Sequence, residues 1–173
     1  MPGSRPIISV MSWRVRAATP EDADAVAAVA AAGWRDTYLG LLQPETIEAF
    51  LDRAYSRDRL HTRITSHHFY VAEGPQGIVA FADAAEEPDR LTLAAIYAFP
   101  QLRGQGAGTA LLDALTTRFP DLPVAADVLV GNRKGEVFYE RRGFEPRETI
   151  EGSLFGEDVV ERRWWRAPAR GGV

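Results

Sequence analysis

Pro100-Gln101-Leu102-Arg103-Gly104-Gln105-Gly106-Ala107-Gly108 is the stretch that decides how this chain folds and what it binds. It follows an apolar run of strand length, residues 91–99, and precedes a helical pattern that carries Leu111, Leu112 and Leu115. Glycines at alternate positions let the backbone approach a ligand closely, and their N–H groups join the positive end of the helix. Arg103 adds a full charge, so the stretch predicts a pyrophosphate site.

The spacing of this loop separates several phosphate-binding motifs. A P-loop requires a lysine after its last glycine, but Thr109 follows Gly108, so that motif is absent. A dinucleotide fingerprint requires Gly-x-Gly-x-x-Gly early in a βαβ unit, whereas this loop reads Gly-x-Gly-x-Gly about 100 residues into the chain. A kinase-like phosphate binder stays open as an alternative, which nucleotide binding without coenzyme A binding would support.

The residues around the loop resemble a known family. Residues 103–108 match the Gln/Arg-x-x-Gly-x-Gly/Ala pyrophosphate motif of the GNAT acetyltransferases. Residues 132–144 look like the second motif of that family, Asn-x-x-Ala-x-x-Phe-Tyr-Glu-x-x-Gly-Phe, in the right order and at the right separation. Residues 34–45 resemble a Trp-x-x-x-Tyr-x-Gly segment that follows the first helix in one bacterial subgroup. The resemblance covers the whole domain in outline.

The resemblance implies a fold and an activity. The fold is α+β, the GNAT fold, with a single mostly antiparallel mixed sheet of about six or seven strands flanked by about four helices. The activity is transfer of an acetyl group from acetyl-CoA to a primary amine, by direct attack in a ternary complex and without a metal. The acceptor is a polyamine or other small amine, an amino-acid-like amine, or a protein amine. The alternative is a non-catalytic acyl-CoA-binding sensor or interaction module on the same fold.

The resemblance also assigns site residues. Tyr139 matches the general acid, since a phenol with an ordinary pKa of about 10 suits protonation of a departing thiolate. The cofactor-binding set combines a strand, the glycine loop and an asparagine: Ile96, Tyr97, Ala98, Arg103, Gly104, Gln105, Gly106, Ala107, Gly108 and Asn132. The acceptor set is Trp34, Tyr38 and Tyr97. The plainer interpretations stay open, with the aromatic residues filling the core and Asn132 only capping a helix.

The group that removes the proton from the acceptor ammonium is left open. Thr92 stands where many relatives carry a glutamate base, which is the only support for the non-catalytic alternative. The remaining candidates are carboxylates near the central strands: Glu86, Glu87, Asp89 and Asp127. The pair His67 and His68 is expected to lie on the surface at a strand start. Gly135, where the family usually has alanine, loosens its helix by about 1 kcal/mol.

Composition sets the broad class. Among 173 residues, 46% are hydrophobic and 25% charged, which is typical of a globular domain. The net charge of −4 argues against nucleic acid as a partner and favours a cationic acceptor through steering. The absence of cysteine excludes disulfides and thiol catalysis. With no signal peptide or long apolar run recognised, the expected location is cytoplasmic, without membrane contact.

Periodicity predicts one domain over residues 12–167, between a flexible arm, residues 1–11, and a disordered tail, residues 168–173. A single helix is predicted over residues 44–63. The last strand carries Trp164 and Trp165 on opposite faces, one packed inside and the other at the contact of a possible homodimer.

Overall fold

The computed structural model describes residues 12–170. The predicted arm and the last three residues of the predicted tail therefore lie outside the described residues. The first part of the predicted tail is described, and the Arg170 N–H donates a hydrogen bond to the Pro120 carbonyl at 3.0 Å. The domain boundaries stay a prediction.

Seven strands form one mixed sheet in the order β1-β2-β3-β4-β5-β7-β6. All neighbouring strands run antiparallel except β4 and β5, which run parallel. This confirms the predicted mostly antiparallel mixed sheet. The strands are β1 (Arg14–Ala17), β2 (His68–Gly74), β3 (Gly77–Glu87), β4 (Arg90–Ala98), β5 (Val124–Leu129), β6 (Glu145–Leu154) and β7 (Glu157–Arg166).

Helices cover both faces of the sheet and bury one hydrophobic cluster on each. The described residues form α1 (Ala23–Tyr38), α2 (Pro44–Ala54), α3 (Arg57–Ser66), α4 (Ala107–Arg118) and α5 (Arg133–Glu140). The first cluster joins α1, α2 and α3 to Phe81 and Ala95. The second joins α4 and α5 to Leu91, Leu93 and Val128. The sheet therefore separates two hydrophobic clusters, one on each face.

The single helix predicted over residues 44–63 is wrong, because the chain breaks between α2 and α3. Tyr55 leaves helical geometry, with φ −117° and ψ 20°, and is buried. Ser56 caps the next helix, its hydroxyl accepting a hydrogen bond from the Arg59 N–H at 3.4 Å. A serine side chain that bonds the backbone favours a new helix start over continuation. The break also lets the Tyr55 ring pack edge-on against Phe81.

The parallel strands β4 and β5 position the site because they separate partway along their length. They pair only over residues 91–93 of β4 and 124–126 of β5. A bulge beside Asp83 in β3 leaves Ala94 without a partner at the point where the strands part. Residues 94–98 of β4 and 127–129 of β5 are not paired with each other, and we call the region between them the wedge. The edge of β4 that faces the wedge has no strand partner.

Candidate active site

The glycine loop, residues 103–108, lies at the end of β4 and leads into α4. Gly104 has φ +76° and Gly106 has φ +91°, in the left-handed region that glycine adopts without strain. A Cβ placed at either glycine would meet nothing within 4 Å, so this backbone faces open space. The first helical hydrogen bond runs from Ala110 to Gly106, which leaves the N–H groups of the first turn without an intrahelical acceptor. We call this open set of donors the nest.

Two contacts hold the nest in place. The Trp13 indole N–H donates to the Gln105 carbonyl at 2.8 Å, which ties the loop to the segment before β1. A Cβ on Gly108 would lie 2.9 Å from Cε2 of Phe138, so only glycine lets α4 pack this closely on α5. Gly108 is therefore explained by packing, and Ala107 beside it is buried.

Arg103, the predicted charge of the loop, reaches toward α1. One guanidinium nitrogen bonds the Asp36 carboxylate, and another donates to the Thr37 hydroxyl at 3.1 Å. Lys134 also bonds Asp36, at 2.8 Å, and the two cations lower the pKa of that carboxyl, Lys134 more than Arg103. The charge of Arg103 is thus partly compensated by α1. A direct role in cofactor binding stays a prediction.

A second arginine, Arg142, follows α5 in the chain and contacts Thr109 in the first turn of α4. It was not predicted as a site residue from the sequence. Its Nε and Nη2 donate to the Thr109 hydroxyl at 3.1 and 2.5 Å, and its guanidinium stacks over Phe138 at 3.7 Å. Burial lowers the pKa of Arg142. The residue occupies a variable position of the second motif, so only the fold reveals that it brings a cation beside the nest.

Three tyrosines gather around the wedge from α1, β4 and α5. The hydroxyls of Tyr38 and Tyr97 are 2.9 Å apart and share a hydrogen bond. Burial raises the pKa of Tyr139 well above its ordinary value, with a further increase from Tyr38 and an opposing effect of Arg142. Among residues 12–170, two buried side-chain polar atoms lack a hydrogen-bond partner, and they are the indole nitrogens of Trp34 and Trp164. The Tyr139 hydroxyl, which has no partner there either, therefore keeps access to solvent as a neutral donor.

Asn132 acts as a helix cap in the structure. Its side-chain oxygen accepts a hydrogen bond from the Gly135 N–H at 3.0 Å, and the residue is buried. A Cβ on Gly135 would lie 2.7 Å from the Asn132 side-chain nitrogen, which gives a physical reason for glycine where the family has alanine. A cofactor contact by Asn132 stays a prediction.

The strand residues of the predicted cofactor set line the wedge. Ile96 and Ala98 pack toward α4, and Tyr97 packs toward α1. A Cβ on Gly33 of α1 would lie 3.1 Å from the Tyr97 ring, so glycine allows this close approach. Antiparallel pairing with β3 uses one edge of β4, and on the other edge residues 94–98 have no strand partner for their N–H and C=O groups.

Thr92 is held by its neighbours rather than free to act. Its hydroxyl donates to Glu87 at 2.7 Å and accepts from Arg90 at 3.2 Å. The carboxylates considered as bases are each paired with a cation or histidine: Glu86 with His68, Glu87 and Asp89 with Arg90, and Asp127 with Arg163. None of the four is a free base in this arrangement.

Glu161 is a carboxylate that the sequence did not single out. It lies opposite Leu129 across the β5–β7 ladder and forms no hydrogen bond or ion pair within residues 12–170. Burial raises its pKa, and Asp127 raises it further. Burial raises the pKa of Tyr38, and Glu161 raises it further. Alternating charges along β7 made Glu161 look like an ordinary solvent-facing residue.

A cleft of about 240 Å³ lies on the α1 side of β4, and we call it the β4 cleft. Aromatic rings form much of its wall: Trp34, Phe50, Tyr55 and Tyr97. Trp34 stacks on Phe50, with ring centroids 3.9 Å apart, and both Trp34 and Tyr38 are buried. The structure thus places both aromatics in the core, and Trp34 also lines the cleft. Their role in acceptor binding stays a prediction.

A buried carboxylate organises the polar wall of the β4 cleft. Asp83 is fully buried and bonds Nε of Arg63 at 2.8 Å and Nδ1 of His67 at 2.7 Å. His67 was expected on the surface, but its bond to Asp83 draws it into the cleft wall. His68 turns the other way, with its ring 4.5 Å from Phe119. The period-2 alternation of strand residues explains why adjacent histidines have different surroundings.

Two further properties concern the described residues 12–170. No helix in that range has both the length and the apolar character that crossing a membrane requires. No three His, Asp or Glu side chains of the range gather into an arrangement that could hold a metal ion.

Comparison with known proteins gives a domain match and named relatives. Residues 65–146 match the family model of the acetyltransferase (GNAT) domain. The chain is 26% identical over 151 residues to a probable N-acetyltransferase of Mycobacterium tuberculosis, covering 82% of this chain and 83% of the relative. It is 24% identical over 163 residues to the spermidine N(1)-acetyltransferase of Thermoplasma acidophilum, and this match covers 89% of this chain and 99% of the relative.

A solved structure has the same fold. The crystal structure of the PaiA N-acetyltransferase from Thermoplasma acidophilum, in complex with coenzyme A, superposes with a TM-score of 0.77 at 24% identity. The match covers 88% of this chain and 98% of the other. At this identity the likeness shows the fold, while the matched domain and the named relatives give the class of enzyme. Residues 65–146 thus match the acetyltransferase (GNAT) domain, and the chain as a whole is similar to N-acetyltransferases.

Proposed function

We propose that this enzyme transfers an acetyl group from acetyl-CoA to a primary amine, with both substrates bound together. One observation carries the proposal: the free edge of β4 runs along an open wedge and ends at the nest. An extended chain fits the free strand edge, and a diphosphate fits a concave set of N–H groups at a helix start. The related structure from Thermoplasma acidophilum is a complex with coenzyme A, which supports the same ligand here.

The residues that would hold the donor are those of the nest and the wedge. Backbone N–H groups of Gly104, Gly106 and the first turn of α4 face the diphosphate, with Arg142 beside them. Residues 96–98 offer backbone groups to the pantetheine arm, and a backbone N–H there would polarise the thioester carbonyl. When bound, acetyl-CoA supplies an activated acetyl group.

Tyr139 is the proposed acid. Its hydroxyl makes no hydrogen bond to a protein group within residues 12–170, and burial raises its pKa, so it is neutral and a weaker acid than an ordinary phenol. A neutral phenol beside the wedge can give its proton to a departing sulfur. The chain contains no cysteine, so the amine attacks the thioester directly without a cysteine-bound acetyl intermediate.

The acceptor class follows from the relatives only in part. Both curated relatives are named N-acetyltransferases, and one is named for spermidine. These names support an amine acceptor. Polyamines, amino-acid-like amines and protein amines all remain within the proposal.

An acetyl-transfer assay tests the proposal. The purified chain is incubated with acetyl-CoA and a panel of primary amines, and thiol release is followed together with the mass of the product. Product formation requires both the amine and the enzyme, and a sample without amine measures background hydrolysis. Tight coenzyme A binding with no acetylated amine would instead favour the non-catalytic binding module.

A further inference from the structure

We infer that the β4 cleft binds an anionic oxygen group on the acceptor, so that the preferred substrate is an amine that also carries a carboxylate. The inference rests on the proposed acetyl transfer and names the substrate class for it. The cleft reaches Ala94, which lies where β4 and β5 part. A ligand held there therefore has its other end close to the wedge.

A buried donor without a partner is the first observation. The Trp34 indole N–H is buried and makes no hydrogen bond within residues 12–170, and Trp34 lines the cleft. An unpaired buried donor costs about 1–3 kcal/mol, a cost that a ligand oxygen would offset. The cleft wall therefore includes a residue whose N–H donor has no protein acceptor.

Arg63 is the second donor, and the fold holds it in a fixed orientation. Its Nε bonds Asp83 and its Nη1 donates to the Ala54 carbonyl at 2.5 Å, while the guanidinium lies 4.8 Å from the centre of the Tyr55 ring. The remaining nitrogen, Nη2, has no partner within residues 12–170 and is not among the buried unpaired atoms. Arg63 lines the cleft, so Nη2 is the nitrogen left for a ligand oxygen.

Arg59 is the third donor and has no ion-pair partner within residues 12–170. It lies on α3, one turn before Arg63, and both residues line the cleft. Asp83 is the one carboxylate of the wall, is fully buried, and has both oxygens bonded to Arg63 and His67. The side chains of Arg59 and Arg63 and the carboxylate of Asp83 sum to a net charge of +1 in the cleft wall. The groups free to bind are thus donors and cations.

The positive charge of the cleft wall disfavours a cationic acceptor, which is the class of substrate that the negative charge of the whole chain favours. A net −4 steers cationic ligands toward the molecule as a whole. Inside the cleft, however, the second ammonium of a diamine would meet Arg59 and Arg63, whereas a carboxylate would pair with them. Steering acts over long range and is screened by salt, so the contacts in the cleft decide specificity.

A matched pair of ligands tests the inference by binding. Calorimetry on the coenzyme A complex compares ω-amino acids with diamines of equal chain length, which share the amine and differ only in the far group. We expect the amino acids to bind about tenfold tighter. Equal or tighter binding of the diamines, or no binding of either class, would overturn the inference.

Variants of α3 assign the effect to the cleft. Arg59→Gln should weaken binding of the amino acid about fivefold and leave the diamine unchanged, and Arg59→Glu should favour the diamine. Arg57→Gln is the matched control, because Arg57 is exposed on the same helix and pairs with Asp24 instead. An unchanged preference in both Arg59 variants would also overturn the inference.

Turnover separates this inference from the proposed function. If the amino acid binds more tightly but no amine is acetylated, the anion site stands and the transferase proposal fails. If diamines are acetylated with the higher kcat/KM, the transferase proposal stands and the anion site fails.

Discussion

The nest and the β4 cleft lie on opposite sides of β4 and are built in different ways. The nest comes from consecutive residues, and the donors that it offers are backbone N–H groups. The cleft is assembled from α1, α2, α3, β3 and β4, and side chains form its wall. A site made of backbone imposes glycines at fixed positions, whereas a site made of side chains leaves no local pattern. If the nest binds the donor and the cleft the acceptor, as proposed, the donor site can be common to many enzymes while the acceptor site sets specificity.

The largest expected effect comes from filling the nest. Gly106→Glu places a side chain and a negative charge where a diphosphate would bind, and forces a non-glycine residue to φ +91°. We expect coenzyme A binding to fall more than about a hundredfold by calorimetry. Gly156→Glu is the control, because Gly156 has a similar φ of +83° and open space in the β6–β7 turn. Equal losses in both variants would mean that strain, and not the nest, is responsible.

Removing the Tyr139 hydroxyl should affect chemistry and not donor binding. Tyr139→Phe keeps the buried ring and should lower kcat about a hundredfold, with coenzyme A affinity unchanged. Steady-state kinetics and calorimetry on the same preparation check both parts. Tyr70→Phe, at a half-buried phenol on β2, should leave kcat unchanged. A normal kcat in the Tyr139 variant would exclude this residue as a rate-limiting acid.

In the wall of the β4 cleft, the bonds of buried Asp83 to Arg63 and His67 should stabilise the folded chain. Asp83→Asn removes the charge that balances Arg63, and we expect unfolding to become easier by about 2 kcal/mol in urea. Asp127→Asn breaks a partly exposed pair with Arg163 and should cost less than about 1 kcal/mol. Similar costs at the two positions would show that burial does not distinguish these ion pairs.

Arg142 tests whether a side chain assists the backbone nest. Arg142→Gln removes the cation at the first turn of α4, and we expect the Kd for coenzyme A to rise about fivefold at low salt. The difference should shrink as salt is added, because part of it is screened attraction. Arg141→Gln is the control, since Arg141 is exposed and makes no side-chain bond within residues 12–170. An Arg142 variant with wild-type affinity would assign the site to backbone alone.

The smallest expected effect is a pH-dependent gain in stability when Glu161 is replaced by glutamine. Burial raises the pKa of Glu161 in the folded chain, so the folded state favours the protonated form. That contribution is present below the pKa of the unfolded chain and is lost as pH rises through the folded pKa. Glu161→Gln should therefore melt at a higher temperature than wild type near pH 7, with the difference vanishing in acid. The exposed Glu151→Gln provides the comparison, and a gain that persists in acid would point to packing instead.

Much of the fold was predictable because it depends on local patterns. The glycine loop, the strand before it and the Leu-rich helix after it were predicted from residues 91–119 and lie as expected. The helix break at Tyr55 was missed, because the apolar stripe of α2 continues through Tyr55. The cap at Ser56 competes with that stripe, and the balance between them depends on packing against Phe81.

The candidate site was predictable only where a motif describes it. Tyr139 and the nest glycines follow from two motifs, although their roles stay predictions. Arg142, Glu161 and the Asp83 network were missed, since each depends on residues brought together by tertiary contacts. Asp83 and His67, for example, are separated by 16 positions and meet through the β2–β3 pairing. A carboxylate in an apolar strand carries no local sign of its partners.

The close approach at Gly108 has a consequence for how the two halves of the reaction are linked. The missing side chain lets the Phe138 ring rest against the first turn of α4, and Phe138 precedes Tyr139 in α5. The helix proposed to receive the donor's phosphates and the helix that carries the proposed acid are thus in direct contact. The distance between the two proposed sites is therefore set where a side chain is missing, at Gly108.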